Sequence, residues 1–231
     1  LGVSLLMAAA LLALYGFRAR ALFPVAGGFA IAATAFMMLE AGHLPELLSG
    51  LAIPGYNQQV LRAFVEGLMA AFLLLLLGSL SELQRVSRVA GTLLMSLGGL
   101  AFALPIYGFA DPMTAASMAR GLFAATAVLG FLLIVILWRK GEVKAETALT
   151  SWGAILIWTI LAVGAALAVN PDTMMSGLLQ AGLCAVLVVI GFALAHHAFA
   201  QGFLSRHFFR EAGRHQLAMA GARAYVWDWQ P

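Results

Sequence analysis

Arg62 and Glu66 stand four residues apart in an otherwise apolar run. On a helix that spacing puts both on one face, where they can pair. A charge inside a bilayer costs about 2.5–3.5 kcal/mol on insertion scales, so each one within an apolar run demands a partner or a purpose. Glu66 is the deeper of the two. Other polar residues stand near the ends of neighbouring runs: Glu40 and His43 after the second, Tyr107 and Asp111 after the fourth, Arg120 opening the fifth. Asn170 and Asp172 precede the seventh run, and Gln180 lies just inside it. Two readings stand side by side. In one, these residues build a polar pocket for a small molecule, with Arg62, Glu66 and Gln180 facing the interior. In the other, they are an ion pair plus ordinary loop polarity at a membrane surface.

Groupings with catalytic chemistry are missing. There is no HExxH, no GxSxG and no phosphate-cradling glycine loop. Cys184 is the sole cysteine, so no internal disulfide or paired thiol chemistry is available. Both lysines, Lys140 and Lys144, follow the fifth run, which leaves the last run without a retinal attachment point. His196 and His197 are adjacent and so point about 100° apart on a helix. No other run offers a histidine to share a haem, and the pair reads as structural or interfacial. Met37, Met38, Met69, Met95, Met174 and Met175 read as core or lipid-facing. Neither a catalytic residue nor a metal or cofactor is expected. Trp138 and Trp152 fit an interfacial aromatic belt, and packing accounts for Trp158. Gly27, Gly28, Gly98 and Gly99 suit close helix contacts.

The elements that must position these groups follow from composition. The chain has 231 residues, 63% of them apolar and 10% charged, with a mean hydropathy of +0.96. Soluble domains carry roughly 25% charged residues, so an ordinary globular enzyme is excluded. The expected fold is an all-α membrane protein, a bundle of seven transmembrane helices at about 1–17, 22–39, 60–80, 90–109, 118–138, 148–169 and 174–199. The first run reads as a span rather than a signal peptide. Seven spans at about 20 residues each leave too little chain for a sizeable soluble domain. The longest connection, 40–59, reads as a short amphipathic turn on the membrane, broken by Pro45 and Pro54.

Eleven of the thirteen basic residues follow spans one, three, five and seven. Only Arg62 and Arg120 fall on the other side, beside Glu40, Glu46, Glu66, Asp111 and Asp172. The positive-inside rule therefore puts the N-terminus outside and the C-terminus in the cytoplasm. Basic residues sorted by membrane side are a topology signal, and nucleic acid is not an expected partner.

Past span seven the sequence continues as a basic cytoplasmic helix, residues 200–222. Leu204, Phe208, Ala212, His215 and Met219 form one apolar stripe on it. The stripe suits a lipid anchor or a parallel contact in a homodimer through the last helix and linker. The stretch LAMAGARAYVWDWQP then resembles the opening of a PAS domain, carried by Leu217, Ala218, Ala222, Val226, Trp227, Asp228 and Trp229. Residues 223–231 would be its start. A seven-helix bundle leading into such a module resembles the bacterial seven-transmembrane receptors with diverse intracellular signalling modules. The basic loop RKGEVKAETALTSW, with its early Trp152, adds to the likeness. The resemblance implies a sensory module in the bacterial inner membrane. Its output would be a diguanylate cyclase, a cyclic-di-GMP phosphodiesterase or a histidine kinase, none of whose catalytic sequences occurs here. A small-molecule permease and a membrane anchoring subunit are the alternatives. Expected partners are membrane lipid and an unidentified small-molecule ligand.

Overall fold

A computed structural model describes residues 2–18, 22–50, 57–80, 88–141, 143–167 and 173–200. The described residues form helices and short turns, with no strand among them. The helices are α1 (Gly2–Arg18), α2 (Leu22–Glu40), α3 (His43–Gly50), α4 (Gln58–Leu80), α5 (Arg88–Ala101), α6 (Ala103–Tyr107), α7 (Pro112–Arg139), α8 (Val143–Leu167) and α9 (Thr173–Ala200). Six segments are long and apolar enough to cross a membrane, α5 and α6 together counting as one, and α1 adds a shorter apolar helix. In hydrocarbon a backbone must satisfy its own hydrogen bonds, so apolar runs of this length fold as helices. Buried hydroxyls follow suit: Thr34, Thr126 and Thr159 each donate to the carbonyl four residues back, at 2.7 Å. The chain divides into two units, 1–193 and 194–231. Of the second, only the last turns of α9 are described.

Helix α4 is the hub of the first unit, packing on α2, α5, α6 and α7. Its buried residues run from Ala63 to Gly78 and cover most of its circumference, leaving one half-buried stripe at Leu61, Phe64, Leu68, Phe72, Leu75 and Ser79. Small residues let these neighbours approach. Ala63 of α4 meets Ala115 and Ala116 of α7 in one buried cluster. Gly27 faces Leu12, Gly28 faces Phe72 and Gly98 faces Leu75, whereas Gly99 faces open space. Three of the four glycines singled out by sequence therefore serve helix contacts.

The fourth span is not one continuous helix. Pro105 has no N–H to give the carbonyl of Ala101, and the chain turns at Phe102, whose N–H bonds Gly99 at 3.2 Å. The displaced Pro105 ring docks on Gly67, where an added Cβ would lie 2.9 Å from Pro105 Cδ. That contact sits one residue from Glu66. The fifth span, α7, starts at Pro112, earlier than the expected 118, because Asp111 caps it: Oδ1 accepts from Thr114 N at 3.1 Å and Oδ2 from Thr114 Oγ1 at 2.6 Å. Pro45 lies in the first turn of α3, where its missing donor costs nothing, so it opens a helix rather than breaking a turn. Pro54 lies outside the described residues.

A further expectation is corrected. Trp152 is not a belt residue: it is fully buried, its ring set against Gly130 of α7. A larger residue at 130 would have pushed it out. Trp138, at the end of α7, is 49% exposed, as a belt residue would be.

Two outcomes follow from this packing. Gly67→Val forces a side chain into the Pro105 contact and should destabilise by about 1–3 kcal/mol, read as a lower melting temperature in lipid nanodiscs. The hydrogen bonds from the Thr114 side chain and backbone hold the Asp111 carboxyl below its ordinary range. A depressed carboxylate stabilises above its unfolded pKa and loses that contribution as pH falls through the folded one. Asp111→Ala should therefore melt earlier than the parent at pH 7, with the gap closing in acid.

Candidate functional site

Three helices bring four charged residues into a single chain of contacts. Glu66 on α4 is 8% exposed. Its Oε2 accepts from Arg120 Nε at 2.8 Å and its Oε1 from Arg120 Nη2 at 2.9 Å, a bidentate clasp across to α7. Arg62, one turn back on α4, donates from Nε to the same Oε1 at 3.1 Å. The Nη2 of Arg62 bonds Glu40 at the end of α2. The order Glu40, Arg62, Glu66, Arg120 alternates in sign, so the four ionised groups sum to zero.

Local structure explains why they meet. Residues 62 and 66 share a face of α4, and the Ala63–Ala115–Ala116 contact brings α7 close enough for Arg120 to reach across. Ala119, beside Arg120, is buried against the same seam. The Pro105–Gly67 contact closes the neighbouring face of α4.

Beside this cluster lies a cavity of about 750 Å³ between α2, α4, α7, α8 and α9. Glu40, Arg62, Glu66 and Arg120 give it charged walls, and Phe36, Met69, Phe123 and Trp158 give it apolar ones. Thr159, Ala162 and Ala166 of α8 and Ser176, Leu179 and Gln180 of α9 add to the lining. Aromatic rings are stacked below. Phe123 lies 6.4 Å from Phe29 in a stacked pair and 5.7 Å from Trp158 edge to face. Trp158 Nε1 donates to the carbonyl oxygen of Leu179 at 2.9 Å, and its ring rests on Gly182. Large side chains such as Trp158 thus bridge α8 and α9. Closer to the charged end, smaller residues on α8 leave the space open.

Of the residues singled out by sequence, Glu40, Arg62, Glu66 and Arg120 are joined directly, and Gln180 lines the same cavity. The other three stand apart from it. His43 is exposed on α3, 3.7 Å from Glu46. Tyr107 is 45% exposed at the end of α6. Asp111 is engaged in capping α7. Asn170 and Asp172 lie outside the described residues, as do Leu204, Phe208, Ala212, His215, Met219 and the 223–231 segment. Sequence reasoning missed Phe36, Phe123, Thr159 and Ser176 and read Trp158 as packing alone. Apolar residues in apolar spans offer no contrast by which to find them. Among the described residues, no group of three or more His, Cys, Asp or Glu side chains could hold a metal ion.

The cluster has a thermodynamic signature. Breaking a buried pair by removing one partner costs about 3–5 kcal/mol, since it strands the other charge. Arg120 is 57% exposed, so water compensates part of that loss, and Glu66→Ala should cost nearer the lower figure. Arg62→Met, at a half-exposed position, should cost no more than about 1 kcal/mol. Combining Glu66→Gln with Arg120→Gln should cost less than the sum of the two single changes, a coupling that a double-mutant cycle in nanodiscs reads directly.

A family model described as 7TM diverse intracellular signalling matches residues 1–197. No curated protein and no solved structure matches the chain significantly.

Proposed function

Because the chain belongs to the 7TM diverse intracellular signalling family, and is thus a multi-pass membrane receptor module rather than a catalytic domain, we propose that its cavity is the sensory site. The observation carrying this reading is the composition of the cavity wall. A ligand there would touch the charged cluster of α2, α4 and α7 on one side and Ser176, Leu179 and Gln180 of the last helix on the other. A signal molecule would thereby bias where α9 sits against a fixed body.

Such a device works only if the ligand binds one arrangement better than the other. A fivefold preference supplies about 1 kcal/mol of bias. Tight binding to both arrangements shifts nothing.

The finer reading is a bacterial inner-membrane protein with the N-terminus outside and the cavity opening on the extracytoplasmic side. The distribution of basic residues supports that orientation. The last helix would pass the bias through the 200–222 linker to a PAS-linked output, either cyclic-di-GMP turnover or a histidine kinase. The VWDW-containing tail supports this assignment. Pairing of two copies along the last helix and linker would carry it as a homodimer.

Two measurements test this reading. In a Cys184→Ser background, a single cysteine replacing Gly42 should react with an impermeant maleimide on intact cells. One replacing Gly141 should react only after permeabilisation. The opposite pattern reverses the orientation. Inserting one, two, three and four alanines after Ala200 in the full-length protein should make output rise and fall with helical phase. Output indifferent to phase excludes a rigid lever.

A further inference from the structure

The hydrogen-bonding state of the cluster narrows what the cavity can hold, and we infer that its ligand is a monocarboxylate with an apolar body. This rests on the sensory reading for why a ligand is bound, but the chemistry comes from the wall itself. Glu66 is buried and already accepts three hydrogen bonds from two arginines. It has little left to offer a cationic or donor headgroup. The arginines are the opposite case. Arg62 donates through Nε and Nη2 and Arg120 through Nε and Nη2, which leaves Nη1 of each uncommitted to the cluster. A guanidinium has five N–H donors and no acceptor. Both side chains are about half exposed beside the cavity. The unspent capacity at the charged end is therefore mostly donor, Nη1 of both arginines and the Gln180 amide, set against the second oxygen of Glu40, whose first accepts from Arg62.

Both guanidiniums converge on Glu66 Oε1. They are thus held close enough for one further planar carboxylate to address both. Glu40 and Glu66 already balance the two positive charges, so a singly charged head fits better than a dianion, which two nearby carboxylates would repel. The remainder of the wall suits an apolar, partly aromatic body: Phe123 and Trp158 present ring faces and edges, with Met69 and Phe36 beside them. A volume of about 750 Å³ lies within the roughly 300–1,000 Å³ range of small-molecule sites.

The test uses three probes that share a body and differ in head: 4-phenylbutyrate, 4-phenylbutylamine and 4-phenylbutanol. Each is titrated into the purified protein in nanodiscs, with binding read by calorimetry and tryptophan fluorescence, and empty nanodiscs supply the partition baseline. The carboxylate should bind at least tenfold more tightly than either analogue. Ala162→Trp, which fills part of the cavity from α8, should weaken it tenfold or more. Arg62→Gln should remove most of the preference for the carboxylate while leaving the alcohol unaffected. Equal binding of the three heads, tighter binding of the amine, or carboxylate binding that survives Ala162→Trp overturns the inference. Melting curves of both variants confirm that the folded protein was assayed. These readouts are independent of signalling. A carboxylate that binds as stated but leaves full-length output unchanged at every dose refutes the sensory reading and not this one.

Discussion

A carboxylate buried among helices has to be neutralised, and Glu66 meets that demand through two arginines rather than one. Everything around it follows from bringing them there. Alanines at 63, 115 and 116 let α7 approach α4, so that Arg120 clasps both oxygens. Arg62 reaches forward from the preceding turn and outward to Glu40, which ties the end of α2 to the same group. Losing the carboxylate would leave two arginines, Arg62 and Arg120, facing each other across α4 and α7. The cluster therefore fixes the relative positions of α2, α4 and α7 at one end of the bundle.

The last helix is held differently. Large side chains and one hydrogen bond, from Trp158 to the Leu179 carbonyl, span its gap to α8, and Gly191 admits Met7 of α1 further along. Backbone-to-backbone contacts of the α4–α7 kind are replaced by side-chain bridges, and the space they leave near the charged end is the cavity. One side of that space is held by ion pairs and the other by side-chain packing, and on the proposed reading the first stays still while the second repacks. A receptor needs this asymmetry, because a ligand acts by repacking one wall against another that stays still.

How much of this could be read from the sequence depended on contrast. Seven apolar runs stand out from their connections, so the helical bundle was legible. Glu66 and Arg62 were legible too, as charges in an apolar run at a helical spacing. The clasp from Arg120 was not, because 54 residues separate the partners and no local periodicity links them. The aromatic wall was hidden for the opposite reason. Phe123 and Trp158 are apolar residues among apolar residues, and facing inward leaves no mark on a span whose every side avoids water. Trp152 shows the same limit: a belt tryptophan and a buried one look alike until Gly130, on another helix, is known to lie opposite. The early start of α7 was legible in principle, since Asp111–Pro112 is a helix-start signal, but the apolar run alone drew attention to 118.

The central claim is that the charged cluster is the fixed body and α9 the wall that responds. Pulsed electron-spin distances test it most directly, in a Cys184→Ser background in nanodiscs. One label pair sits at Ala41 and Ser117, spanning the ends of α2 and α7, and the other at Ser117 and Gly177, spanning α7 and α9. On saturation with 4-phenylbutyrate the first distance should stay constant while the second shifts or changes its balance of populations. Two distances that move together, or a second distance that does not respond to a bound ligand, would contradict the account.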